Sequence, residues 1–87
     1  MIKVYNSAGW VDGIFEVVGR RDDQPYPKAY LLRTCKSLHD GSSYFVAYFC
    51  AERKTGSFEH LDFACQMPTF ATREEAFHAA RAQGFTL

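Results

Sequence analysis

Cys50, His60 and Asp62 are the side chains that come closest to a chemical constellation. They lie in SYFVAYFCAERKTGSFEHLDFAC, residues 43–65, which reads as two strands joined by a tight turn. Pairing across that turn puts all three on one face. A thiol beside an imidazole, with a carboxylate to orient it, is the pattern of an activated nucleophile. The setting argues against that chemistry. Side chains on neighbouring strands project in parallel, and the backbone amides that would stabilise an oxyanion are committed to the ladder. A small apolar Cys beside a surface His is the simpler reading, and a thiol enzyme built on Cys50 and His60 ranks third among the functions considered.

Metal ligation is the next chemistry to weigh. Structural zinc needs four convergent ligands, usually from closely spaced pairs. Cys35 with His39 is the only near pair; Cys50, His60 and Cys65 could add others, but Cys65 falls on the opposite face of the sheet. His78, beside Phe77 in an alanine-rich run, reads as a boundary histidine. The sequence therefore implies no metal and no cofactor. Glycine-rich phosphate loops of the GxGxxG or GxxxxGK type are absent as well.

These residues need elements to position them. The 87 residues predict one domain, 1–87, of a size that buries roughly 60–65% of its unfolded surface. Aromatic residues make up 16%, and large rings suit a small core because each buries much area. Ile14 to Arg20, Ala29 to Leu38 and residues 43–65 have the β-branched and aromatic content of strands. MIKVY reads as a short edge strand, NSAGWVDG as turn-rich, and RDDQPYPK as a polar loop whose prolines exclude it from a sheet interior. Asp40-Gly41 signals one hairpin, and Lys54 to Gly56 a second with Gly56 as its left-handed residue.

Residues 70–85, FATREEAFHAARAQGF, predict a helix. Thr72 stands as N-cap with Glu75 three residues on, a capping box. Gly84 ends the helix in the left-handed conformation, with Phe85 folding back on Ala80. Ala76, Phe77 and Ala80 form the apolar stripe. This ending resembles the tails of many small bacterial and phage domains, where a strand leads to one alanine-rich helix. The likeness covers about a fifth of the chain and carries no functional residue with it. The fold expected is α+β: an antiparallel β-meander of three to four strands with one C-terminal α-helix packed on one face, and the tail FTL as a short edge strand.

The two turns set a register. The first pairs Leu32 with Phe49, Thr34 with Ala47, Arg33 with Tyr48 and Leu31 with Cys50. The second pairs Phe49 with Leu61, Ala47 with Phe63, Tyr48 with Asp62 and Cys50 with His60. Because side chains alternate, one face then carries Leu32, Thr34, Phe45, Ala47, Phe49, Leu61, Phe63 and Cys65, and belongs under the helix. The other carries Leu31, Arg33, Cys35, Val46, Tyr48, Cys50, His60 and Asp62. Arg33, Tyr48 and Asp62 form a polar row across it, too charged for an ordinary core, while its Leu, Val and Tyr are too apolar for an ordinary wet surface.

The expectation is therefore a small non-catalytic binding domain, accessory, regulatory or inhibitory, with a protein partner or a second copy of the chain covering that second face. Leu31, Arg33, Val46, Tyr48, His60 and Asp62 are the expected contact residues, of types that concentrate interface energy. The alternative is that the segment around Trp10 folds over the face and the protein is a monomer. A nucleic-acid-binding sheet using Tyr44, Tyr48 and Arg33 is the competing class. Ten basic residues balanced by ten acidic ones disfavour it, since phosphate binding rests on a basic excess. An odd number of cysteines, three, and no signal peptide favour a reducing cytoplasm. No stretch reaches the length of a membrane span.

Overall fold

A computed structural model describes residues 4–6, 9–11, 14–60 and 67–87. It is an α+β fold, a mixed and mostly antiparallel sheet with one C-terminal helix. The strands are β1 (Val4–Asn6), β2 (Gly9–Val11), β3 (Phe15–Arg21), β4 (Lys28–Lys36), β5 (Ser43–Glu52), β6 (Phe58–His60) and β7 (Thr69–Phe70), and the helix is α1 (Arg73–Ala82). Their order is β2-β1-β6-β5-β4-β3, with β7 also paired to β5. The meander β3-β4-β5-β6 is the predicted part. The sheet is larger than the predicted three or four strands because short segments extend it. β1 is internal rather than an edge, paired in parallel with β6 and antiparallel with β2, and β2 forms within the stretch read as a turn.

Both hairpins form, and they differ in how closely they follow the expected register. The second turn closes as predicted. Gly56, at φ 84, follows a turn in which its amide bonds the Arg53 carbonyl, and Cys50 stands opposite His60. The first is displaced by two residues: Leu31 faces Tyr48, Leu32 faces Ala47 and Arg33 faces Val46. The Asp40 carboxylate accepts from both the amide and the hydroxyl of Ser42, so Asp40 caps a longer loop instead of centring a two-residue turn. Ser37 and Ser42 close that loop, with Gly41 at φ 72. A slip of two residues keeps every side chain on its face. The expected Arg33–Tyr48 pairing is corrected, but the assignment of faces is not. The amide of Ala47 bonds the carbonyl of Pro68, and Phe45 stands opposite Phe70. Leu61, Asp62, Phe63 and Cys65 lie outside the described residues.

The helix follows its sequence signals closely. Thr72 is the extended N-cap, and its hydroxyl accepts from the Glu75 amide at 3.3 Å. Glu75 reaches back to the Ala71 amide, one residue before the site a reciprocal box uses. At the other end Phe85 donates to the Ala80 carbonyl and Gly84 to that of Arg81, the paired bonds of a Schellman motif. Gly84 has φ 86. Ala76 and Ala80 are fully buried and bring α1 close to the sheet, where it packs on β3, β5 and β7.

Phe85 then locks the C-terminus onto β3. A bulge between Val17 and Gly19 turns Val18 and Gly19 toward the helix. A Cβ on Gly19 would stand 2.8 Å from the Phe85 Cβ, so only glycine fits. The Arg21 guanidinium lies over the Phe85 ring at 4.6 Å, donates to the Gln83 carbonyl, and is held by two bonds to Asp23. Arg81 donates to the Val18 carbonyl and Thr86 bridges Arg20. The predicted FTL strand is this single bridge. Together these bonds occupy part of an edge that would otherwise invite strand pairing.

Equilibrium urea denaturation checks this account. Gly19→Ala is expected to lower stability by about 1–3 kcal/mol through overpacking against Phe85. Thr72→Ala is expected to lower it by about 1 kcal/mol through loss of the cap. A midpoint unchanged in either variant would contradict the corresponding contact.

Candidate functional site

The helix-side face holds one core, Val18, Tyr30, Leu32, Ala47, Ala76, Ala80 and Phe85, with Phe45, Phe49, Phe70 and Phe77 at its margin. The second face holds another, built on Val4, Phe15, Ala29, Leu31, Tyr48, Cys50 and Phe58, with Val17, Val46 and Met67 packed against it. Phe15 and Tyr48, two strands apart, meet edge to face at 5.3 Å. Tyr48 meets His60 in the same way at 5.2 Å.

This second core corrects the expectation of an open face. Leu31 is 0%, Tyr48 4% and His60 5% exposed in the isolated chain. They are covered by side chains from β1 and β3 and by Met67, whereas the expected face was drawn from β4, β5 and β6 alone. Arg33 and Val46 are half-buried at the rim, and Asp62 lies outside the described residues. Arg33 avoids the problem of a buried charge by standing at that rim, where the Tyr48 hydroxyl helps hold its guanidinium protonated. Trp10 lies in β2 opposite Tyr5; the N-terminal strands extend the sheet, and Val4 contributes directly to the second core.

Cys50 and His60 are indeed cross-strand neighbours, but their setting does not activate the thiol. Burial pushes the Cys50 thiol up to about 12, which leaves a thiolate fraction of about one in 10^5 at pH 7. Cys35 is half-buried on β4. Among the described residues, no three His, Cys, Asp or Glu side chains converge as metal ligands, and no helix is long and apolar enough to cross a membrane.

Among the described residues an open surface lies on the helix side, beyond the reach of α1. Ala51 faces Lys28 on one neighbour and Glu59 on the other, and Glu59 faces Tyr5. This row continues the face that carries Ala47 and Phe49. With the 24–27 turn and the β5–β6 tip it encloses a groove of about 920 Å³. Tyr5, Tyr26, Pro25, Pro27, Lys54 and Thr55 are among its walls. The turn, which contains a cis Gln24–Pro25 bond, is anchored where Glu52 donates its amide to the Pro27 carbonyl at 2.8 Å. Arg20 and Glu52 pair at 3.1 Å, Lys28 and Asp23 at 3.3 Å, and Arg53 pairs with Glu59. Lys54 makes no ion pair among the described residues.

None of the five described contact residues, Leu31, Arg33, Val46, Tyr48 and His60, lines this groove. The sequence did carry a signal for it: Tyr26 stands between two prolines in a polar loop. No core claims it, and it remains 62% exposed. Tyr5 was legible only as part of a strand, because its place opposite Glu59 depends on a parallel pairing over a long sequence distance. Comparison with protein-family profiles, curated proteins and solved structures finds no match.

The buried thiol generates a pH prediction. The folded state keeps the Cys50 proton up to about 12, against an ordinary value of 9.0. Protonated Cys50 therefore favours folding fully below pH 9, and that contribution is lost as the pH rises from 9 toward 12. Relative to Cys50→Ala, the wild type should lose up to about 1.4 kcal/mol per pH unit above pH 9. Parallel denaturation series for the two proteins should show their stability curves converging there; parallel curves would contradict the burial of the thiol.

Proposed function

We propose that this protein is a small non-catalytic binding domain, and that its groove takes an extended, acidic segment of a protein partner. The observation that carries the reading is the open end of the helix-side face, the row Tyr5–Glu59–Ala51, walled by Tyr26 and Lys54. Tyrosines give large, rigid contact area at small entropic cost and a hydroxyl for the partner's backbone. The prolines flanking Tyr26 restrict its loop before any partner arrives. The volume is at the upper end of ligand sites, and the site is an open groove, which suits a chain segment better than an enclosed small molecule.

Charge decides the chemistry of the segment. Arg20 and Arg53 have carboxylate partners at the rim, whereas Lys54 is left to meet one from outside. Burial of Tyr48 removes the stacking platform a nucleic acid would use. The odd cysteine count supports a reducing compartment such as the cytoplasm, where the free thiols of Cys35 and Cys50 persist.

Selection from a randomised peptide library on the immobilised protein tests the proposal. Selected peptides should carry an acidic residue at a fixed position. Tyr26→Ala should weaken their binding at least about tenfold, the loss typical of a central aromatic contact. Lys54→Glu should turn the selection toward basic peptides. Binding indifferent to both substitutions would refute the groove. A labelled single-stranded oligonucleotide binding more tightly than the peptides, with steep salt dependence, would favour the nucleic-acid reading instead.

A further inference from the structure

Two short strands, β6 and β7, pair with the same edge of β5. β6 pairs with Cys50 to Glu52 and β7 with Phe45 and Val46. Beside these contacts lies a cavity of about 190 Å³ bordered, among the described residues, by Tyr30, Ala47, Phe49, His60, Met67, Pro68 and Gln83. It shares none of these residues with the groove. Ala47, Phe49, Met67 and Pro68 give it an apolar side, with Met67 as an adaptable wall, and Tyr30, His60 and Gln83 bring polar groups to its edge.

Tyr30 does not fit an apolar site that is complete in itself. The residue is 2% exposed, its ring packs on Phe85 at 5.4 Å, and its hydroxyl is buried with no hydrogen-bond partner. Buried hydroxyls are normally paired, and one left alone destabilises the fold. Phenylalanine would make the same ring contact without that penalty. The hydroxyl therefore calls for a partner that the described chain does not supply.

We propose that this cavity binds a small, ring-sized apolar molecule with one hydrogen-bond acceptor, to which the Tyr30 hydroxyl donates. The size is adequate: an apolar cavity of about 150 Å³ holds benzene. The apolar walls would take the ring, and the acceptor would satisfy Tyr30. A purely apolar ligand of equal shape would fill the space and leave the hydroxyl unpaired, so the site should discriminate between the two.

Acetophenone and ethylbenzene form a matched pair of probes, alike in shape and differing in the carbonyl. Titration of the full, isotope-labelled chain should shift the methyl resonances of Ala47 and Met67 with both. Acetophenone should bind about three- to tenfold more tightly, the margin of one neutral hydrogen bond. Tyr30→Phe should keep or raise the melting temperature, still bind both probes, and abolish the preference. The proposal is overturned if neither probe binds, as a cavity holding only water would behave, or if the shifts map elsewhere. It is equally overturned if Tyr30→Phe markedly lowers the melting temperature, which would mean the hydroxyl is already bonded within the fold, or if the preference survives in that variant.

Discussion

Strand β5 carries apolar side chains on both faces, and the need to bury both at once shapes the rest of the chain. Ala47 and Phe49 project toward the helix, and Tyr48 and Cys50 toward the opposite side. A single ten-residue helix spans about 15 Å, so it can cover one side and only part of that. The other side is filled by side chains from both flanks of the sheet: Phe15 and Val17 from β3, Val4 from β1, Phe58 from β6, and Met67. The result is two cores back to back, sharing β4 and β5 as their common wall.

That arrangement explains how much was legible in the sequence. The helix was readable to its caps, because Thr72, Glu75 and Gly84 act on their immediate neighbours. The turn at Gly56 was readable for the same reason. The first hairpin was read two residues out of register, since the Asp40 side chain capped Ser42 and lengthened the loop. The faces survived the slip because their period is two. The closure of the second face was not legible. It depends on Val4 and Met67, distant in sequence from the strands they cover, and on three-residue strands too short to show alternation. A face judged from β4, β5 and β6 alone looked half-finished, and the inference that a second chain completed it followed from that shortened sheet.

The same geometry moves the candidate site to the other side of the sheet. Once Leu31, Tyr48 and His60 are committed to a core, the surface left open among the described residues is the stretch of the helix-side face that α1 does not reach. There the chain places Ala51, a small residue, on the floor and raises Tyr5, Tyr26 and Lys54 around it. The groove is held open from several directions: the Pro27 carbonyl fixed to β5, Arg20 paired with Glu52, and Arg53 paired with Glu59. A site supported in this way is largely pre-formed, which lowers the entropy that binding must overcome.

The chain seals the Tyr48 face by itself and leaves Tyr26 open to solvent. Hydroxyl-radical footprinting of the monomer, read residue by residue by mass spectrometry, compares the two tyrosines in one experiment. Tyr26 should oxidise rapidly and Tyr48 should be strongly protected, at dilutions where no dimer forms. Oxidation of Tyr48 at a rate comparable to Tyr26 in the folded monomer would contradict that burial, and would show that the second face is open to a partner after all.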